Sequence, residues 1–368
     1  MLIGVDAGCL GIKDERLKVG VYQTTKNLLI ELGKIDRKNN YLLYSFYPIN
    51  KKLLSEFGER MENVVVKPSR GWQKIWLPIR IVKDKPDVFL ALSQAIPLKL
   101  PFSPPLRTIG FIYDIAFEGF PDLYPDSFLR MRKNTREVVK HSDCLITTSN
   151  SSKKDIVKFY EVNPQKIVVS YLGISDVFKL YGKKYQSEKP YFLFIGALKR
   201  IKNIPGAIKG FSYFIETSQL DYYLCIAGGD KWLDSGIKKA LKKVPLEVRE
   251  RIKFLGFVSE EELSSLYRGA TAFVSPSFYE GFGLTFLEAM SLGCPVIGSN
   301  RGSIPEVVSD CGILVDPENS KEIGEAMICM AKNTELRNKY IKKGLKRSRQ
   351  FTWNFLAKEV MNSYEKKT

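Results

Sequence analysis

The sequence predicts an α/β protein of two doubly wound, Rossmann-like domains, and three observations predict it. Short runs of Val, Ile, Leu and aromatic residues alternate with amphipathic helical patterns along the whole chain. Continuous apolar strands separated by helices mean a parallel sheet covered on both faces. The scheme occurs twice, interrupted by a polar, charged stretch at 179–189 with little periodicity. A length of 368 residues exceeds one ordinary core and fits two domains.

The strands of the first half are expected at 2–6, 41–46, 64–66, 88–92, 108–113, 144–147 and 167–169, with helices at 22–32, 127–140 and 152–160. In the second half they are expected at 191–195, 223–227, 253–255, 272–274, 295–298 and 312–315, with helices at 203–215, 259–267, 284–292 and 320–331. The tail, 351–364, reads as one more amphipathic helix. The domains are therefore placed at 1–182 and 183–351. In open sheets of this kind ligands bind beyond the carboxyl ends of the strands. The two domains would face each other across a cleft that takes the ligand.

Hydrophobic residues make up 44% and charged residues 26% of the chain, a globular composition. No apolar run approaches the ~20 residues of a membrane span. The first eight residues read as a buried strand without the basic start or cleavage site of a signal peptide, so a cytoplasmic protein is expected. The six cysteines form no Cys-x-x-Cys pair and are expected as reduced core thiols. His141 is the only histidine, which argues against a zinc site and against Ser-His or Cys-His triads. A structural role is expected for it.

The formal charge is +17, and it is uneven. Residues 1–185 hold 30 basic and 19 acidic residues, leaving 27 and 21 for the rest. A basic first half suits nucleic acid, an anionic membrane surface or a polyanionic substrate.

Three turns are candidates for chemistry. Ser275 to Met290 runs from a strand through Glu280-Gly281-Phe282-Gly283-Leu284 into a helix. Such a turn offers free backbone N–H groups and a positive helix end to a phosphate. Glu280 in the turn and Glu288 inside the helix could accept sugar hydroxyls; equally, they could be a helix-terminal and an ordinary surface glutamate. Strand 191–195 ends in Gly196-Ala197-Leu198-Lys199-Arg200-Ile201-Lys202-Asn203 before another helix. Cations at a helix N-terminus are unfavourable, so an anionic ligand would compensate them, though a solvated basic loop is the alternative. In the first half Lys18-Val19-Gly20-Val21-Tyr22 precedes a helix, and Gly20 could let backbone approach a phosphate.

Together these features resemble family 4 of the retaining, nucleotide-sugar-dependent glycosyltransferases, which have the GT-B fold. Glu280 to Glu288 matches that family's Glu-x7-Glu motif. Its surroundings match too: Phe254-Leu255-Gly256-Phe257-Val258 with Glu260-Glu261-Glu262-Leu263 and Tyr267, Gly293-Cys294-Pro295-Val296-Ile297, and Pro305-Glu306-Val307. Further matches are Gly196-Ala197-Leu198 with Lys202-Asn203, and Tyr113-Asp114 followed by Pro121. The Trp353 helix, at about 352–368, looks like the family's last helix, which crosses back onto the first domain.

The resemblance implies roles. Glu280 would contact donor-sugar hydroxyls. Gly281, Phe282, Gly283 and Leu284 would form the donor turn, the last three offering amides to sugar and diphosphate. Glu288 would bind ribose, while Lys202 and Arg200 would neutralise the leaving diphosphate. Phe257 and Val258 would line the base pocket. Gly20 would lie beside the phosphates and Asp114 beside the reacting centre. The chain departs from the family pattern at Tyr113, where many members have His, at Tyr22, where many have a second Gly, and at Ile201, where many have Arg.

Transfer from a nucleotide sugar needs a stabilised diphosphate and a sugar cation held beside an acceptor hydroxyl. No Asp-x-Asp motif occurs, so neither metal nor cofactor is expected beyond a UDP- or GDP-sugar donor. Retention, with the departing phosphate taking the acceptor proton, is implied by the resemblance. Residues 67–85 hold six cations and one acid with two tryptophans and several aliphatics interleaved, as on a segment lying on anionic lipid. The basic 127–140 helix adds to that half's charge. The expectation is a metal-independent hexosyltransferase, of mannose or glucose type, acting on a glycan or lipid-linked saccharide of cell-surface polysaccharide or glycolipid at the cytoplasmic membrane face. A sugar-nucleotide epimerase or phosphorylase on a similar fold and a catalytically silent homologue are the alternatives. Nothing resembles a nucleic-acid reading helix or stacking platform, so no nucleic-acid partner is expected.

Overall fold

The computed structural model describes residues 1–18, 20–97, 106–124, 127–178, 182–229 and 235–365. The chain forms two units, Met1–Gly173 with Thr352–Thr368, and Ile174–Phe351.

The strands of the first unit are β1 (Leu2–Asp6), β2 (Asn40–Ser45), β3 (Met61–Val65), β4 (Val88–Ala91), β5 (Arg107–Ile112), β6 (Cys144–Thr147) and β7 (Ile167–Val169). They form one parallel sheet in the order β3-β2-β1-β4-β5-β6-β7. The second unit contains β8 (Tyr191–Ile195), β9 (Tyr223–Ala227), β10 (Ile252–Gly256), β11 (Ala272–Ser275), β12 (Val296–Ser299) and β13 (Gly312–Val315). Its parallel order is β10-β9-β8-β11-β12-β13. Both sheets are doubly wound, and the order reverses at β1/β4 and at β8/β11.

Each expected strand is present. The short estimates at 64–66 and 253–255 fall on β3 and β10, the edge strands. Edge positions tolerate polar residues such as Glu62 and Lys253, which hide the ends of the strand in the sequence. The central strands read cleanly because both faces are buried: every residue of β4, β6, β8, β11 and β12 is inaccessible. Several helices escaped the reading, some because they are short and some because they lack a buried stripe. Lys51–Glu56 buries no residue, and Thr334–Ser348 buries only Gly344 and Ser348.

The core of the second unit contains an aromatic group among its aliphatic residues. Phe192 and Phe194 on β8 meet Phe211 and Phe214 of the helix Ile204–Ser218, with the Phe192 and Phe214 rings edge to face at 5.1 Å. The units divide at Gly173 rather than at 182. Phe178 already belongs to the second, where its ring meets Tyr267 at 6.3 Å and its carbonyl accepts from Ser291 Oγ at 3.1 Å. Residues 179–181 of the expected join lie outside the described residues. The last helix, Trp353–Glu365, packs on the first unit; 366–368 lie outside the description. A Cβ at Gly173 would sit 2.2 Å from the Trp353 nitrogen, so only glycine permits that approach. Arg107 Nε donates to the Ser363 carbonyl at 3.0 Å, and the Tyr364 hydroxyl lies 3.3 Å from that of Tyr41, which donates to Asp36 at 2.5 Å.

None of the six cysteines forms a disulfide. His141 ends the helix Phe128–His141, with Nε2 3.4 Å from the Glu137 carboxylate. Among the described residues no helix is long and apolar enough to cross a membrane.

Candidate active site

The reversal point of the second sheet gathers the strongest sequence candidates. The chain leaves β8 through Gly196 and turns at Arg200–Lys202. Asn203 follows in a left-handed conformation (φ +51°) and caps the helix Ile204–Ser218 by accepting from Gly206 N at 3.1 Å. Its amide nitrogen donates to the carbonyls of Pro276 at 3.0 Å and Pro317 at 2.7 Å, clamping the basic turn to the turn after β11. A backbone bond from Phe278 N to Ile201 O, 2.9 Å, repeats the tie.

These clamps bring two distant residues together. Lys202 Nζ donates to both oxygens of Glu280 at 2.6 Å. The pair is only partly open to solvent, at 22% of the lysine and 11% of the glutamate side chain. Ser277 Oγ also donates to Glu280, at 2.8 Å. The backbone of Glu280 is held from the loop after β12, where Ser303 donates to its carbonyl through Oγ at 2.8 Å and N at 3.2 Å. Gly302 (φ +61°) allows that loop to close in, since a Cβ there would lie 3.0 Å from the Glu280 carbonyl oxygen. Ser277, Ser303 and Gly302 were not recognised in the sequence. Their only signal was proximity to Glu280 or to Pro305-Glu306.

Gly283 occupies the N-cap of the helix Leu284–Ser291 in a left-handed conformation. Phe282 is buried, its ring 5.8 Å from that of Phe351, whereas Leu284 is half-buried. Glu288 is buried and not the surface residue that the sequence also allowed. Tyr267 Oη donates to it at 3.2 Å. Burial pushes the Glu288 carboxyl up to about 8; the Tyr267 bond pulls it down and nearby Glu260 raises it. Ile201 is buried and Arg200 exposed, so the position where many members of the resembling family have arginine faces the interior here. Phe257 and Val258 follow β10, whose last residue, Gly256, accepts from Gly228 N at 2.7 Å. Phe257 is half exposed.

Gly20 and Asp114 lie in the other unit. Gly20 (φ +47°) is the exposed N-cap of the helix Val21–Ile35, and Val19 before it lies outside the described residues. Asp114 follows β5; its Oδ1 accepts from Ala116 N at 3.0 Å. Gln94, in a left-handed conformation, donates to the Asp114 carbonyl at 3.0 Å and to Thr135 at 3.1 Å, and accepts from Tyr113 N at 3.3 Å. Tyr113 donates its hydroxyl to the Leu92 carbonyl at 2.9 Å, and burial pushes that hydroxyl's pKa well up. The sequence did not single out Asp6 at the end of β1. It is buried, accepts from Gly8 N at 3.2 Å and from Ser93 Oγ, and burial raises its pKa.

Residues 177–347 match the profile of the family described as Glycosyl transferases group 1. An O-antigen chain mannosyltransferase of Escherichia coli is 30% identical over 269 residues, 70% of each chain. The chain belongs to the group 1 glycosyltransferases. A second O-antigen chain mannosyltransferase, of Salmonella typhimurium, is 33% identical to this glycosyltransferase over 204 residues, 55% of each chain. Solved structures share the fold, which is GT-B. Sucrose-phosphate synthase of Thermosynechococcus elongatus superposes with a TM-score of 0.78 at 16% identity, covering 99% of this chain and 98% of its own. HepE of Anabaena, in complex with UDP and glucose, gives 0.71 at 18% identity over 98% of each chain.

Proposed function

We propose that this glycosyltransferase moves a hexose of mannose or glucose type from a UDP- or GDP-sugar to a glycan or lipid-linked saccharide in cell-surface polysaccharide synthesis. The single observation that supports this most is the Lys202–Glu280 pair at the reversal point β8/β11. A pair of opposite charges there suits a ligand that itself presents an anion next to hydroxyls. The donor diphosphate takes Lys202, with Arg200 beside it and the helix N-terminus at Gly283 and Leu284 opposite. Glu280, released from the lysine, accepts the sugar hydroxyls. Glu288 accepts from the ribose, and Phe257 with Val258 lies against the base.

The chemistry is dissociative. The bond from the sugar's anomeric carbon to the phosphate oxygen breaks, and Lys202 and Arg200 stabilise the charge left on the diphosphate. The acceptor hydroxyl attacks the same face, and its proton passes to the departing phosphate, so configuration is retained. The charges provided by the protein make a metal unnecessary. The names of the two mannosyltransferase relatives favour mannose and an O-antigen-type acceptor.

Calorimetric titration with UDP, GDP and ADP, with and without EDTA, tests the donor site. One nucleotide is expected to bind tightly, indifferent to EDTA, and to weaken in Lys202→Ala. Equal binding by Lys202→Ala, or a requirement for metal, would overturn the assignment. Product anomer analysis with GDP-mannose and UDP-glucose then tests retention.

A further inference from the structure

One feature of the first unit takes no part in the donor site. Residues Trp72–Trp76 and Leu77–Asp84 form a continuous helical segment that connects β3 to β4. Its inner side is already packed: Trp72, Leu77 and Ile81 are buried in a cluster with Tyr44, Val64 and Phe89. Its outer side is nevertheless apolar. Ile75, Trp76, Ile79 and Val82 are exposed at 51%, 37%, 52% and 42%. Residues 75, 79 and 82 recur at the spacing of one helical turn, so they form a stripe. An ordinary surface helix puts polar residues on that side.

The stripe lies among cations. Lys74, Lys83 and Lys85 are exposed, and the one acid of the segment, Asp84, is bound by Arg80 Nε at 2.7 Å and 2.9 Å. The helix Phe128–His141, joining β5 to β6, repeats the pattern with Leu129 exposed at 76% beside Arg130 and Lys133. Both connections move in the same direction along the sheet, so right-handed crossovers place both helices on the same face. Two patches on one layer, each apolar and each positively charged, call for a broad partner that supplies both acyl chains and negative charge. A second copy of the chain would oppose like charges.

We propose that this layer, centred on the Ile75–Trp76–Ile79–Val82 stripe, docks the glycosyltransferase on an anionic phospholipid bilayer. The apolar side chains enter the headgroup boundary and the lysines pair with lipid phosphates. The proposal does not depend on the assignment of the donor site.

The full chain is sedimented with vesicles of phosphatidylcholine alone and with phosphatidylglycerol added. It is expected to bind the second and not the first, and to be released progressively by salt. Ile75→Ser with Ile79→Ser, at exposed positions that leave the core intact, is expected to lower partitioning at least about tenfold. Lys74→Ala with Lys83→Ala is expected to lower it roughly tenfold or more. Nucleotide binding, measured by calorimetry on the same variants, is expected to be unchanged, which separates this surface from the donor site. Absence of binding to phosphatidylglycerol vesicles overturns the proposal. So does wild-type binding by the serine variant, or self-association that the serine variant abolishes without any lipid binding.

Discussion

The two sheets reverse their strand order at equivalent points, yet those points are furnished differently. At β8/β11 a carboxylate, Glu280, is matched by a cation, Lys202, in a partly open position. At β1/β4 a carboxylate, Asp6, is buried and held by neutral donors, the Gly8 amide and the Ser93 hydroxyl. The first arrangement can be rearranged by an incoming anion, because each partner of an ion pair near solvent can exchange its counter-charge for a ligand. The second fixes loops: Ser93 adjoins Gln94, which holds Tyr113 and Asp114. The same frame thus holds an exchangeable ion pair at one reversal point and a buried carboxylate with neutral donors at the other.

The largest expected effect lies at the charged point. Lys202→Ala should lower sugar transfer by on the order of 10²–10³, measured as initial rates with the donor whose nucleotide binds. A rate within threefold or so of wild type would remove the lysine from the reaction. Glu280→Gln should lower transfer by roughly 10²-fold while leaving nucleoside diphosphate affinity within a few fold, since the glutamate is assigned to the sugar. Loss of nucleotide binding in that variant would instead make the pair a structural brace.

At the neutral point the comparison predicts a stability effect in place of a kinetic one. Asp6→Ala should cost about 1–3 kcal/mol in denaturant unfolding, because the Gly8 amide and Ser93 lose their buried acceptor. Asp6→Asn should recover most of it, and neither should alter nucleotide affinity. An Asp6→Ala protein as stable as wild type would erase the contrast.

The last effect is one of pH and concerns Glu288. Burial pushes its carboxyl up to about 8 in the folded chain, from an ordinary value of 4.5. The folded state therefore holds a proton that the unfolded chain has released between these values. The stability contributed by the protonated group is complete below the ordinary value and is lost as pH rises towards about 8. Without ligand, the melting temperature of Glu288→Gln should fall less than that of wild type across this window, by on the order of ten degrees. Parallel melting curves for the two proteins would show that the carboxyl is not raised.

Legibility followed burial and length. Leu77–Asp84 and Ile304–Val308 bury apolar residues but, at eight and five residues, are too short to show a period. The central strands and the longer helices with an apolar face were readable because both depend on local pattern. The helices 51–56 and 334–348 were not, since their exposed surfaces impose no periodicity. Within the site, Glu280, Glu288 and Lys202 were visible as residues of the right chemistry on strand-to-helix turns. Asp6 looked like the end of a strand. Ser277 and Ser303 looked like ordinary loop serines. Gln94 gave no hint of its three hydrogen bonds.

By itself the sequence determined the alternation of strands and helices, the twofold repetition of that scheme and the basic character of the first half. Those properties reside in neighbouring residues and in composition, which folding does not alter. Tertiary structure alone decided that Lys202 meets Glu280 across 78 positions, that Glu288 is buried against Tyr267, and that the stripe at 75–82 faces outward. Each depends on which turn lies beside which and on which side of a helix the sheet covers. Strand order settles both, and no local stretch of sequence encodes it.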